Sequence, residues 1–173
     1  ADIVKRLMQE FPNRLFIKER KGKLGLGTAY LEGMRWGNEH GYDYMIEMDA
    51  DFSHNPDDLP RLYEACASGK GDVVVGSRYV DGKISVVNWP MGRLMMSYYA
   101  SKYVRLITGM RVCDATAGFV CWSRRVLEKM KFDKVKFVGY AFQIEMKYTA
   151  TRLGFKVYEV PIIFTDRVLG TSK

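Results

Sequence analysis

Five carboxylates and no Lys or Arg lie in the segment 47–58, EMDADFSHNPDD, although the whole chain carries a net charge of +7. Asp49 and Asp51 stand two residues apart after an apolar stretch, so both can point to one side where a strand ends. Such carboxylates repel each other unless a cation or a proton lies between them. A Mg²⁺ or Mn²⁺ ion shared with phosphate oxygens is the natural partner. From spacing alone, an acidic turn with solvated carboxylates is about as good an interpretation.

A basic tract follows this acidic segment. Residues 78–111 contain one acid, Asp81, and six basic residues, which are Arg78, Lys83, Arg93, Lys102, Arg105 and Arg111. A nucleic-acid-binding protein would use the basic tract but would have little use for the acidic centre. A metal ion placed between carboxylates and phosphates uses both, so the charge pattern favours a phosphorylated small molecule as ligand.

An alternation of strands and helices must position these groups. Apolar runs predict buried strands at 42–51 and 71–78, and a shorter strand at 14–19. Helical patterns are predicted at 1–11, 28–41, 54–69, 91–109 and 139–154, with further strands at 116–123 and within 155–164. This order predicts a single α/β domain over residues 1–173 with a mostly parallel central sheet.

The remaining sequence features argue against several classes of protein. No apolar run approaches the roughly 20 residues of a membrane span, and no signal peptide opens the chain. Cys66, Cys113 and Cys121 lack metal-binding spacing and are expected to be reduced thiols in a cytosolic setting. His40 and His54 are too isolated in sequence for a zinc site.

Six segments in order carry a resemblance to one family. They are KLGLGTAYLEG, YDYMIEMDADFSHNPDDLPRL, DVVVGSRY, DATAGF, GYAFQIEM and DRVLGTSK. Together they resemble the polyprenol-phosphate (dolichol-phosphate) mannosyltransferases, inverting glycosyltransferases of family two with a GT-A (Rossmann-like) fold. The resemblance implies transfer of mannose from GDP-mannose to a polyprenyl or dolichyl phosphate. It also implies a peripheral location at the cytoplasmic face of a membrane.

The resemblance implies roles for five residues on the donor side. Asp49 and Asp51 would bind Mg²⁺ or Mn²⁺ on the diphosphate. Ser53 stands where some relatives place a glutamine ligand, so the third ligand would be Ser53 or water. Asp114 resembles an acid near the sugar, although it could equally cap a turn. Glu145 resembles an active-site acid, although a first-turn glutamate also suits a helix dipole.

The resemblance also implies an acceptor-phosphate site formed by Arg78, Arg93, Ser97, Arg167 and Lys173. Arg93 and Ser97 are neighbours on one helix face, which could be an interfacial helix beside the lipid or a helix packed on the core. A surface salt bridge is the other interpretation of Arg78. Arg167 and Lys173 could form a strap over phosphates or a frayed tail.

Two motifs of that family, a PTYNE-like and a DDGS-like segment, do not occur in the 173 residues. We therefore expect an N-terminally truncated domain that is inactive alone. An unpaired edge at 14–19 or 43–50 would favour a homo-oligomer. One alternative is a polyprenyl-phosphate glucosyl- or N-acetylhexosaminyltransferase. Another is a non-catalytic module that binds membrane surfaces or nucleic acid, although the mannosyltransferase interpretation predicts no nucleic-acid partner.

Overall fold

The structure is a computed structural model that describes residues 2–22 and 24–166. Its helices are α1 (Asp2–Glu10), α2 (Leu26–Glu39), α3 (Leu59–Ala67), α4 (Met91–Thr108), α5 (Arg124–Lys129) and α6 (Ala141–Arg152). Its strands are β1 (Tyr44–Glu47), β2 (Val73–Ser77), β3 (Val86–Val87), β4 (Val120–Ser123), β5 (Val157–Pro161) and β6 (Phe164–Thr165). Short 3₁₀ turns occupy Pro56–Asp58 and Phe132–Lys134. The predicted α/β class is confirmed.

The central sheet is mixed rather than mostly parallel. Its strand order is β1-β4-β2-β5, and β4 runs antiparallel to both of its neighbours while β2 and β5 are parallel. All four residues of β4 are buried. A strand covered on both faces has the same apolar pattern in either direction, so the sequence could not reveal the reversal of β4. A second, two-stranded sheet pairs β3 with β6 in parallel.

The strand predicted at 14–19 is wrong, because residues 15–20 have no regular structure. A strand needs a neighbouring backbone ladder, and β1 pairs only with β4 in the part of the chain that the structure describes. β1 is therefore an edge strand, as expected for the segment 43–50. Helix α1 has no buried residue.

Two apolar layers cover the central sheet because alternate strand residues face opposite sides. Val73, Val75 and Trp122 pack with residues of α2, α5 and α6 on one side. Val74 and Cys121 pack with residues of α3 on the other. The three cysteines are free thiols. Because β4 lies between β1 and β2 and runs antiparallel to both, the carboxyl ends of β1 and β2 lie at the same edge of the sheet.

Helix α4 lies largely outside this core. Only Ser101 is buried along its length. Seven of its apolar or aromatic side chains are exposed, namely Met91, Met95, Met96, Tyr99, Tyr103, Leu106 and Ile107. At 100° per residue these seven side chains share one face, which we call the α4 apolar face. None of the helices in residues 2–22 and 24–166 is long and apolar enough to cross a membrane.

Candidate active site

A cleft of about 750 Å³ opens at the carboxyl ends of β1 and β2. Ligands in doubly wound α/β folds bind at this edge of the sheet. The cleft brings together six of the residues selected from the sequence, which are Asp49, Asp51, Ser53, Arg78, Arg93 and Ser97. Two others, Asp114 and Glu145, do not line it. Arg167 and Lys173 lie outside the described residues.

The carboxylates after β1 are oriented by short hydrogen bonds. The hydroxyl of Tyr30, on α2, donates to Oδ1 of Asp49 at 2.9 Å. Burial and the charge of Asp49 raise the pKa of Tyr30, which keeps the hydroxyl a donor. Oδ1 of Asp51 accepts from the Ser53 hydroxyl at 2.6 Å and from the Ser53 amide at 3.2 Å. Phe52, between them, has a φ of +63°, and this left-handed residue makes the turn.

The donor set at this turn fits a hard divalent cation. Asp49 and Asp51 line the same cleft and provide oxygen ligands, which Mg²⁺ and Mn²⁺ prefer. No group of three His, Cys, Asp or Glu side chains that could hold a metal occurs in residues 2–22 and 24–166. Phosphate oxygens and water would therefore complete the coordination, as is usual for Mg²⁺. Ser53 supports Asp51 in this arrangement, because its hydroxyl is donated to that carboxylate.

Arg78 forms a buried salt bridge with Asp114 rather than a surface salt bridge. Its Nε and Nη2 each donate to Asp114 at 2.7 Å, and Nη2 also donates to Thr116 Oγ1 at 2.9 Å. Burial lowers the pKa of Arg78, but the hydrogen bonds and charge of Asp114 more than offset this and raise it overall. The Asp114 side chain is fully buried, so this carboxylate fixes Arg78 and does not face the cleft.

Arg93 and Ser97 line the cleft from helix α4. Arg93 pairs with Asp166 at 3.0 Å, and its guanidinium carbon lies 4.3 Å from the centre of the Trp89 ring. Ser97 accepts a hydrogen bond from the Tyr79 hydroxyl at 2.9 Å. The cleft is therefore lined by Asp49 and Asp51, which we call the acidic wall, and by Arg78, Arg93 and Ser97, which we call the basic wall.

Glu145, for which the resemblance implied an active-site role, does not line the cleft. Its carboxylate accepts hydrogen bonds from the backbone amides of Lys136 and Phe137 at 3.0 Å. Gln143 lines the cleft instead. Residues two apart on a helix point about 200° apart, so Gln143 and Glu145 cannot face the same side.

Sequence reasoning missed the aromatic residues that line the cleft, which are Tyr30, His54, Trp89, Tyr140 and Phe164. The guanidinium carbons of Arg78 and Arg93 lie 5.4 and 4.3 Å from the centre of the Trp89 ring. His54 packs against the rings of Phe119 and Phe164, at centroid distances of 5.0 and 5.4 Å. Burial lowers the pKa of His54. The signal that could have found His54 is its place in the acidic segment 47–58.

A buried polar network lies behind the acidic wall. Glu47, the last residue of β1, accepts from Trp122 Nε1 at 3.0 Å and from Gln143 Nε2 at 3.1 Å. Burial raises the pKa of Glu47 to about 7. These bonds tie the end of β1, which precedes Asp49, to β4 and to α6.

Comparison with known proteins agrees with this geometry. Residues 1–135 match the family described as Glycosyl transferase family 2. The chain is 47% identical over 162 residues to a polyprenol monophosphomannose synthase of Mycolicibacterium smegmatis, covering 94% of this chain and 60% of the relative. It is 45% identical over 157 residues to an undecaprenyl-phosphate mannosyltransferase of Micrococcus luteus, covering 91% and 63%. The chain thus spans about three fifths of the curated relatives it matches, and the resemblance to polyprenol-phosphate mannosyltransferases is confirmed.

Solved structures share the fold. Glucosyl-3-phosphoglycerate synthase of Mycobacterium tuberculosis, in complex with Mn²⁺ and UDP-glucose, matches with a TM-score of 0.55 at 20% identity. The match covers 91% of this chain and 49% of that one. A complex of glucosyl-3-phosphoglycerate synthase with phosphoglyceric acid matches with the same TM-score at 19% identity. The fold is thus GT-A-like, and the chain belongs to glycosyl transferase family 2.

Proposed function

We propose that the protein transfers mannose from GDP-mannose to a polyprenyl (dolichyl) phosphate, with inversion at the anomeric carbon. The observation that carries the proposal is a single cleft lined both by the carboxylates Asp49 and Asp51 and by Arg78, Arg93 and Ser97. An anionic acceptor must approach an anionic sugar nucleotide, and the two repel each other. A metal ion bound by the carboxylates would neutralise the diphosphate, and the arginines would bind the acceptor phosphate. The similarity to two mannosyltransferases that act on polyprenyl phosphates, by their names, supports the substrate class.

The reaction needs no strong general base. A phosphate monoester has a second pKa near 6 and is largely dianionic at pH 7. One of its oxygens forms the bond to the anomeric carbon while the bond to the diphosphate breaks, and that electron pair stays on the departing GDP. Attack opposite the leaving group inverts the configuration. The chemistry supplied by a bound Mg²⁺ or Mn²⁺ is neutralisation of charge on the diphosphate.

The residues of the basic wall position the acceptor phosphate. Arg78 is preorganised by Asp114 and Thr116, so little side-chain entropy is lost when phosphate binds. The Arg93 side chain is partly exposed, so it can exchange its ion pair with Asp166 for one with a bound phosphate. The Ser97 hydroxyl accepts from Tyr79 and can donate its own hydrogen to the same phosphate. Charge-assisted contacts of this kind are the strong class of hydrogen bonds.

The acceptor lipid chain would leave the cleft along α4. Met96, Ser97 and Ala100 of this helix line the cleft, and the α4 apolar face lies exposed beside it. Exposed apolar side chains flanked by Lys102 and Arg105 fit the interface of an anionic membrane. We infer peripheral attachment at the cytoplasmic face of a membrane through this helix.

An assay of the full natural chain with one sugar nucleotide at a time tests the proposal. Transfer of mannose from GDP-mannose to polyprenyl phosphate, abolished by a chelator and restored by Mg²⁺ or Mn²⁺, is expected. Transfer of glucose or N-acetylhexosamine instead would favour the related activities, since sugar choice rests on few contacts. Salt-sensitive DNA binding without any response to GDP or metal would favour a non-catalytic module.

A further inference from the structure

Lys147 is a fully buried ammonium group whose partners are carbonyl oxygens. It lies on α6 with no exposed side-chain surface. Its Nζ donates to the main-chain oxygens of Ala117 at 2.6 Å and Ala115 at 3.2 Å. The main-chain and side-chain oxygens of Gln143 lie 3.3 and 3.4 Å away. Burying an ammonium costs several kcal/mol, and an apolar chain of this length would fill the space without that cost. The contribution of Lys147 must therefore come from what it binds.

What it binds is the turn of residues 113–117, which carries the groups that fix Arg78. Glu159 of β5 accepts from the amides of Cys113 and Asp114, at 2.7 and 3.0 Å. Lys147 donates to the two carbonyls on either side of Thr116. Buried backbone groups outside helices and ladders need side-chain partners. Here one charged residue binds the amides of the turn and an oppositely charged residue binds its carbonyls.

The same turn presents Asp114 and Thr116 to Arg78. Asp114 accepts from the Arg78 amide at 3.0 Å and binds its guanidinium through both carboxylate oxygens. Thr116 accepts from Nη2 of the same guanidinium. We propose that Lys147 is a positioning residue for Arg78, which acts by fixing the turn that holds the guanidinium towards the acceptor phosphate. The proposal rests on the proposed function in so far as Arg78 binds that phosphate.

The ionisation of Lys147 gives this arrangement a pH dependence. Burial lowers the pKa of Lys147 to about 8, against the negative charges of Glu47, Asp114 and Glu159, while Arg78 lowers it further. Lys147 therefore loses its charge as the pH rises through about 8, and its bonds to the carbonyls weaken. The acceptor phosphate is already dianionic there. We expect the KM for the acceptor to rise above pH 8 while the KM for the sugar nucleotide stays constant.

The test compares Lys147→Met with Met146→Ala in the full natural chain. Met146 is the buried neighbour on α6, so its truncation perturbs the apolar packing of the helix and keeps the Lys147 hydrogen bonds to the turn in place. Lys147→Met is expected to raise the acceptor KM about tenfold, to change the donor KM less than twofold and to remove the rise above pH 8. Hydrogen exchange at the Arg78 amide, which donates to Asp114, should accelerate in Lys147→Met only.

Equal changes of both KM values in the two variants would show that Lys147 is merely structural and would overturn the proposal. So would an unchanged acceptor KM and unchanged Arg78 amide protection in Lys147→Met. If that variant does not fold, the same two quantities are measured in the unmodified protein between pH 7 and 9.5. An acceptor KM and an Arg78 amide protection that both stay constant over this range would contradict the proposal. Absence of mannosyl transfer would overturn the proposed function, and the exchange measurement would still test Lys147.

Discussion

Asp51 is the residue whose substitution tests the metal site most directly. Asp51→Asn keeps the shape of the side chain but removes its negative charge. Residues that merely support a ligand change metal affinity about 10–100-fold, so loss of a ligand itself should cost at least as much. We expect metal-dependent GDP binding, measured by calorimetry with Mn²⁺, to fall at least about tenfold with folding intact.

Asp57→Asn is the matched control for Asp51, because Asp57 is an exposed carboxylate of the same acidic segment that does not line the cleft. GDP affinity should stay constant in this variant. Chelation of the metal should reproduce the Asp51→Asn result in the unmodified protein. Equal GDP affinity with and without the Asp51 carboxylate would remove Asp51 from the metal site.

Arg93 is expected to act on the acceptor rather than on the donor. A charged hydrogen bond is worth about 1.5–3 kcal/mol. Arg93→Ala should therefore raise the KM for polyprenyl phosphate about 10–100-fold and leave the KM for GDP-mannose nearly unchanged. Arg35→Ala is the control, because both arginines pair with an aspartate and are 43% exposed. A larger effect on the donor KM would move Arg93 to the nucleotide side.

At the scale of elements, alanine substitutions at two glycines of α2 distinguish the effect of close packing from the effect of helix propensity on stability. A Cβ at Gly37 would clash with the Met45 side chain of β1, whereas a Cβ at Gly33 has no neighbour within 4 Å. Gly33→Ala should raise the free energy of unfolding by up to about 1 kcal/mol. Gly37→Ala should give a free energy of unfolding about 1–3 kcal/mol lower than Gly33→Ala does, because the Met45 side chain must shift to make room. Urea unfolding of both variants checks this difference, and equal values would contradict the packing of α2 on β1.

Helix α4 provides the second prediction at this scale. Leu106 is 81% exposed on the α4 apolar face, so Leu106→Glu should change the free energy of unfolding by less than about 0.5 kcal/mol. Burying a leucine in an apolar phase is worth about 1.5–3 kcal/mol. We therefore expect at least a tenfold loss of binding to phospholipid vesicles in a sedimentation assay. Ile3→Glu on α1, at a similarly exposed apolar residue, should bind as the unmodified protein does. Equal losses in both variants would exclude a specific role of α4.

At the scale of the whole molecule, the net charge of +7 should govern association with membranes. A basic residue near an anionic surface contributes about 1 kcal/mol, and salt screens this attraction. Binding to vesicles that contain anionic lipids should fall steeply between 50 and 300 mM salt, whereas the weaker binding to neutral vesicles should change little. Salt-insensitive binding to both vesicle types would show that charge does not contribute.

The sequence by itself determined the features that depend on local patterns. Strand β1 was predicted from its apolar run, although the predicted strand reached residue 51 and β1 ends at Glu47. Asn55 is a residue type typical of helix caps, and its side chain accepts a hydrogen bond from the Asp57 amide. Gly109, with a φ of +70°, ends α4 as a left-handed residue. These signals span a few residues, so no distant part of the chain is needed to interpret them.

Only the tertiary structure decided the direction of β4 and the partners of the acidic residues. Asp114 could face a sugar or cap a turn by its sequence, and it pairs with Arg78, 36 residues earlier in the chain. Gln143 of α6 lines the cleft, whereas Glu145 accepts hydrogen bonds from the amides of Lys136 and Phe137. Lys147 shows no sign in the sequence of being buried. A pairing between distant residues, and the face that a helix turns to its neighbours, depend on how all the elements pack, and no local pattern encodes them.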